Sequence, residues 1–178
     1  MEQGQDWTPG RVADRLAIQE ILHRHCRALD RLQLDGLAAL YHPDAVIERS
    51  GVGSSVREFV ADVGRRHAGV PHASHMVTNM LVDFLGPDRA FVESWCLALE
   101  QHPGAARTVD HIHRVRYGDV FERRDGTWRI ARRMFVTDHV MGVVADPALA
   151  PSMAGRTRGR RDADDPIARA RAALGLAG

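Results

Sequence analysis

Asp30 and His75 are the residues in this chain whose types could do chemistry together. A carboxylate that holds an imidazole in one tautomer makes a general base that works near neutral pH. Asp30 closes the amphipathic segment VADRLAIQEILHRHCRALD, and His75 opens the alternating run SHMVTNMLVDF. If the fold brings the two together, the ring can take a proton from a carbon beside a carbonyl or a leaving group. The carboxylate then orients the ring and stabilises the imidazolium that forms. General-base catalysis contributes roughly 10²- to 10⁴-fold, so the surrounding pocket must also stabilise developing negative charge. The plainer roles for the same residues are a loop cap for Asp30 and a satisfied strand histidine for His75.

Further candidates come from strand alternation. With His111 taken as inward, Val109, His113, Val115 and Tyr117 share its face, and Asp110, Ile112, Arg114 and Arg116 occupy the other. His113 could then donate to a carbonyl or leaving oxygen that Tyr117 positions, or both could be buried groups bonded to backbone. Tyr41 follows an apolar helical face and could line a pocket mouth, although an aromatic there more often packs. Trp95, among Phe91, Val92, Leu97 and Leu99, is expected in the core. His72 and His75 lie three apart and His111 and His113 two apart. Zinc would need a third ligand and a fixed second shell, and no recognised spacing supplies them, so no metal is expected. The chain carries neither a glycine-rich phosphate loop nor a nucleophile elbow, so nucleotide cofactors and serine hydrolysis find no support and no cofactor is expected.

These residues must be positioned by helices first and strands afterwards. Val12, Leu16, Ile18, Ile21, Leu22, Cys26 and Leu29 recur at helical spacing, which predicts a long helix over Val12 to Leu29 with Thr8 and Pro9 as start signals. A short helix capped by Asp35 and stopped by Pro43 follows, then a strand over Ala45 to Glu48, then a helix from Val56 to His67 capped by Ser54 or Ser55. From His75 the period becomes two. His75 to Phe84, Arg89 to Gln101, Thr108 to Arg123 and Thr127 to Thr137 are strand-like, separated by the turn words LGPD, HPGAA and RRDG. Helices followed by an antiparallel meander mean α+β.

The 178 residues are 44% apolar and 26% charged, which suits one globular domain. A formal charge of +1 argues against nucleic acid as the main partner and for a small molecule. Cys26 and Cys96 sit in apolar stretches, as reduced, packed thiols do. No secretory signal or membrane span is visible, and a cytoplasmic location is expected. Residues 1–145 are expected to form the domain and residues 146–178 a flexible charged tail, in which PIARARAALGL could make a short helix.

Four words in order, IQEILHRHCRALDR, LAALYHPDAV, HASHMVTNMLVDF and YGDVFERRDGTWRIARR, resemble the SnoaL-like branch of the nuclear-transport-factor-2-like superfamily over about residues 12 to 140. The resemblance implies a cone-shaped α+β barrel. In it a strongly curved, mostly antiparallel sheet wraps a long N-terminal helix, with two shorter helices and an apolar pocket at the open end. Members such as scytalone dehydratase, bile-acid 7α-dehydratase and hexachlorocyclohexane dehydrochlorinase use an aspartate that ends the first helix and a histidine that opens the strand after the third, positions matched here by Asp30 and His75. Arg133 falls where the dehydrochlorinase has a pocket arginine. His25 stands five residues before the aspartate, where the bile-acid enzyme has a tyrosine. The implied activity is that of a cofactor-independent, dehydratase-like lyase or isomerase acting on a hydrophobic, cyclic oxygenated molecule such as a steroid, terpenoid or polyketide. The same fold also serves non-catalytic binding proteins and dioxygenase small subunits, so a binding or assembly subunit is the alternative. An apolar outer sheet face needs covering, so a homo-oligomer is expected, a trimer before a dimer.

Overall fold

The computed structural model describes residues 7–104, 107–146, 148–149 and 154–176. Helix α1 spans Pro9–Arg31, with Thr8 accepting from the Arg11 N–H and Leu32 closing it in the left-handed region at φ 52°. Its buried face runs through Ile18, Leu22, His25, Cys26 and Leu29. Val12 and Leu16, expected on that face, are instead 39% and 60% exposed. The inward place at their level belongs to Asp14, whose carboxylate accepts from Trp128 Nε1 at 2.9 Å and Arg123 Nη1 at 2.7 Å. A satisfied carboxylate displaces the apolar stripe there.

Helix α2, Leu34–Ala39, begins one residue before the expected cap: Gln33 is the N-cap and Asp35 lies in the first turn, where its charge suits the helix dipole. Pro43 does not stop this helix but lies within strand β1, Tyr41–Arg49. The pairing of β1 is irregular between Tyr41 and Val46, so the missing N–H of Pro43 falls where the ladder is interrupted. Strand β2, Val52–Ser55, leads into α3, Val56–His67, through a capping box between Ser55 and Glu58.

The four long strands are β3 (Ala73–Gly86), β4 (Arg89–Pro103), β5 (Thr108–Arg124) and β6 (Thr127–Val144). The sheet order is β2-β1-β6-β5-β4-β3, antiparallel throughout except for the parallel β1–β6 pair. The RRDG turn has Asp125 and Gly126 at φ 50° and 76°, the hairpin geometry that favours a residue pair such as Asp-Gly. Ala105 and Ala106 of the HPGAA turn lie outside the described residues. The sheet curls over α1 without closing, so the wall is an open cone with β2 and β3 as its edges.

Bulges bend this wall. In β3 the pairing with β4 shifts between Thr78 and Leu81, with Asn79 at φ 47°. In β6, Ile130 pairs with Phe121 and Arg132 with Val120, which leaves Ala131 as an extra residue. Strict alternation sets Arg133 on the face opposite Ile130, but the extra residue turns both inward, and each is fully buried. Core packing joins Ile18 and Leu22 of α1 to Phe59 of α3 and to Val92, Phe121 and Ile130 of the sheet. Trp95, expected in this core, is 37% exposed on the convex face beneath the Arg116 guanidinium, because Val92, Ser94, Cys96 and Ala98 take the inward positions of β4.

Of the expected tail, positions 147, 150–153 and 177–178 lie outside the described residues. The short helix α4, Pro166–Ala173, starts at Asp165, whose side chain accepts from the N–H groups of Ile167 and Ala168. No helix among the described residues is long and apolar enough to cross a membrane.

Candidate active site

Asp30 sits in the last turn of α1 and His75 near the start of β3, and the fold brings them together. Asp30 Oδ1 lies 2.7 Å from His75 Nδ1, and Oδ2 accepts the His75 backbone N–H at 3.1 Å. The carboxylate therefore fixes both the ring and the strand that carries it. An ionised carboxylate only accepts, so the ring proton sits on Nδ1. Nε2 has no hydrogen-bond partner among the described residues. The two side chains are 15% and 7% exposed, enclosed but not sealed.

Two hollows meet at this pair. The inner one, about 340 Å³, lies inside the curve of the sheet. Its apolar lining includes Leu29, Phe59, Val63 and Phe135. Its polar lining includes His75, Glu100, His113 and Tyr117. The outer hollow, about 950 Å³, lies between the end of α1, the start of β3 and α4, and its rim carries Arg27, Arg31, Asp162 and Asp165. The larger volume is not the better candidate for the chemistry. Asp30 borders only the outer hollow, which leaves the carboxylate behind the ring and the inner hollow in front of it.

A second polar group lines the inner hollow beside His75, on the neighbouring strand β4, where Ala98 pairs with His75 and Glu100 with Ala73. The Glu100 carboxylate approaches His67 Nε2 at 3.5 Å and accepts from His102 Nε2 at 3.2 Å. Burial pushes the Glu100 carboxyl up, but the neighbouring His67 and the hydrogen bond from His102 more than offset it and leave it below its ordinary value. Burial also lowers His67 to about 4, against the pull of Glu100, so its ring is neutral at pH 7. Burial lowers His113 as well, and its Nε2 is buried without a hydrogen-bond partner. His111 packs against His102 with ring centres 4.2 Å apart and planes tilted by 30°, and does not border the inner hollow.

Beneath the floor lies a dry network. Arg133 donates to Asp119 through Nε at 2.7 Å and Nη2 at 2.6 Å, a two-pronged pairing in which neither side chain reaches solvent. Arg133 Nη1 lies 2.7 Å from His25 Nε2 and 3.4 Å from the Tyr41 hydroxyl, and Tyr41 lies 2.9 Å from the same His25 nitrogen. Because a guanidinium can only donate, His25 Nε2 accepts and its proton sits on Nδ1. Burial, then the charge of Arg133, hold His25 well below its ordinary pKa. Burial raises Tyr41 and Tyr117 above the usual phenol range.

The candidates from sequence thus divide. His75, His113 and Tyr117 line the inner hollow and Asp30 backs the ring, whereas His25, Tyr41 and Arg133 form the supporting network beneath. Sequence reasoning missed Glu100, His67 and Asp119. Continuing the inward alternation of β4 from Val92 through Ser94, Cys96 and Ala98 reaches Glu100, but that signal alone does not separate a carboxylate turned inward from one in solvent. Cys26 and Cys96 are buried free thiols, as the composition implied.

Comparisons with known proteins agree with this architecture. Residues 10–134 match the SnoaL-like domain family. Among solved structures, a candidate scytalone dehydratase from Novosphingobium aromaticivorans DSM 12444 superposes with a TM-score of 0.68 at 22% identity, covering 84% of this chain and 98% of its own. A type 2 hexachlorocyclohexane dehydrochlorinase gives 0.67 at 22% identity, covering 78% and 97%. A protein of unknown function from Mycobacterium tuberculosis gives 0.62 at 26% identity, covering 81% of each chain. At the 22% identity of the first two, the likeness shows the fold. No curated protein matches the sequence.

Proposed function

Because this chain belongs to the SnoaL-like family, we propose that it is a cofactor-independent lyase or isomerase in which His75 is the general base and Asp30 its orienting partner. The observation that carries the reading is the double grip of Asp30 on His75, through Nδ1 at 2.7 Å and the backbone N–H at 3.1 Å. His75 Nε2 takes a proton from a carbon beside a carbonyl or leaving group. The electron pair of that C–H bond then forms a double bond as a leaving group departs with its bonding electrons, or, where an existing double bond migrates, the far carbon takes the proton back from His75. Tyr117 and His113 are placed to donate to the oxygen on which negative charge develops.

The substrate is a hydrophobic, cyclic oxygenated small molecule of the steroid, terpenoid or polyketide kind. The apolar lining from Phe59 and Phe135 favours a ring, and the Glu100 carboxylate on the wall disfavours an anion. Self-association covers the convex face, where Phe91, Trp95, Leu97 and Met134 are all exposed, and a trimer is the expected state. Sedimentation that returns a monomer at micromolar concentration would remove that expectation.

Purified protein screened against dienone-forming alcohols, with His75→Gln and Asp30→Asn alongside, tests the reaction. Each substitution is expected to lower turnover by about 10²- to 10⁴-fold with little change in Tm. A substituted protein that keeps normal turnover removes the assignment. Ligand binding without turnover across the screen would favour a binding subunit on the same fold.

A further inference from the structure

The C-terminal segment reaches the Asp30–His75 pair through one arginine. Arg161 Nε donates to the Asp30 carbonyl at 2.8 Å and Nη2 to the Leu29 carbonyl at 2.7 Å. Its Nη1 donates to the Val70 carbonyl at 2.7 Å and to the His67 carbonyl at 3.3 Å. The first two acceptors lie in the last turn of α1, where the dipole favours a cation, and the Leu29 carbonyl also takes the Leu32 N–H at 3.3 Å. Of the other two, His67 is the last residue of α3 and Val70 lies in the turn that leads to β3. One planar fork therefore joins the segment that ends on Asp30 to the segment that leads into His75.

The same stretch is fastened a second time. Asp165, only 3% exposed, accepts the Arg160 N–H at 2.9 Å, and Arg31 of α1 donates to the Arg160 carbonyl at 2.9 Å. Arg160, Arg161 and Asp165 all lie beyond residues 10–134, the part of the chain matched to the family. Among the described residues β3 is an edge strand with a sheet partner on one side only, and the Asp30 carboxylate and the Arg161 fork meet its start from the other elements.

We propose that Arg161 is a positioning residue whose guanidinium, spanning the end of α1 and the α3–β3 turn, holds Asp30 against His75, so that the C-terminal segment completes the proton-transferring pair. The proposal rests on the reading of His75 as the base and adds how that base is held in place. Lysine cannot substitute, because its ammonium is a point charge without the fixed fork that reaches carbonyls on two separate segments. Without the fork, the two segments can part and the short contact to Nδ1 lengthens.

Proton NMR on the full-length protein tests this without substrate. The His75 Nδ1 proton, held against a carboxylate, is expected far downfield, identified by its loss in His75→Gln. In Arg161→Met the signal is expected to broaden into exchange with water while circular dichroism stays that of a folded chain. Turnover on an accepted substrate should fall by about 10- to 100-fold with KM little changed, the scale set by misplacing a reacting group by about an ångström. Arg161→Lys should show a weakened signal, and it covers the case in which the methionine variant does not fold. Arg160→Gln removes the same charge from an exposed neighbour and should change neither readout. A sharp, unshifted signal in a folded Arg161 variant overturns the proposal and leaves the general-base reading standing. A wild-type spectrum without the signal overturns both. The signal present in a protein that turns over nothing in the screen removes the catalytic reading alone.

Discussion

At the scale of single residues, the site separates groups that can meet a substrate from groups that hold the floor beneath it. Arg133 belongs to the second kind, since its guanidinium is fully buried and its donors go to Asp119, His25 and Tyr41. Removing one member of such a pair leaves an uncompensated buried charge. Arg133→Met is therefore expected to lose about 3–5 kcal/mol of stability in urea unfolding, and Arg133→Met with Asp119→Leu to recover much of that loss. An Arg133→Met protein of undiminished stability but reduced kcat/KM would instead place the guanidinium against substrate. Asp30 and His75 were legible from residue type and from their positions at the end of one periodic segment and the start of another. Glu100 and Asp119 were not, because a carboxylate in an alternating strand reads as solvated until the partner that accompanies it inward is known. His67 comes to Glu100 from another element, and Arg133 comes beside Asp119 only through the pairing of β5 with β6.

At the scale of elements, periodicity located both long stretches of helix and all four long strands, with ends shifted by at most three residues except in β6, which runs on from the expected end at Thr137 to Val144. It failed where the chain departs from regularity. Pro43 reads as a helix stop but sits in a strand whose ladder is interrupted, and Ala131 is an extra residue that hydrophobic patterning cannot announce. The bulge at Asn79 shows the same device in β3, with a φ of 47° that asparagine tolerates and β-branched residues resist. Asn79→Gly should be close to neutral, whereas Asn79→Val should lose about 1–2 kcal/mol by chemical denaturation. Equal stability of the two variants would mean that the bulge does not persist in solution.

At the scale of the whole molecule, the buried histidines tie stability to pH. Burial holds His67 at about 4 and His25 well below its ordinary value. In the unfolded chain both titrate near about 6.5. Between these values the unfolded state binds more protons than the folded one, so stability falls as pH drops from about 6.5, and for His67 the fall ends at about 4. Thermal melts across this window should show Tm decreasing toward acid, with a shallower slope in His67→Gln; a slope unchanged by that substitution would exclude His67 as a source. Taken by itself, the sequence determined the α+β class, the order of elements, the family resemblance and the choice of Asp30 and His75 as a candidate pair, because period and residue type are local properties of the chain. Only the tertiary structure decided that Arg133 turns inward, that Glu100 faces the hollow, and that Arg161 ties the ends of two segments together. Those outcomes depend on bulges and on contacts between residues far apart in sequence, which local pattern does not encode.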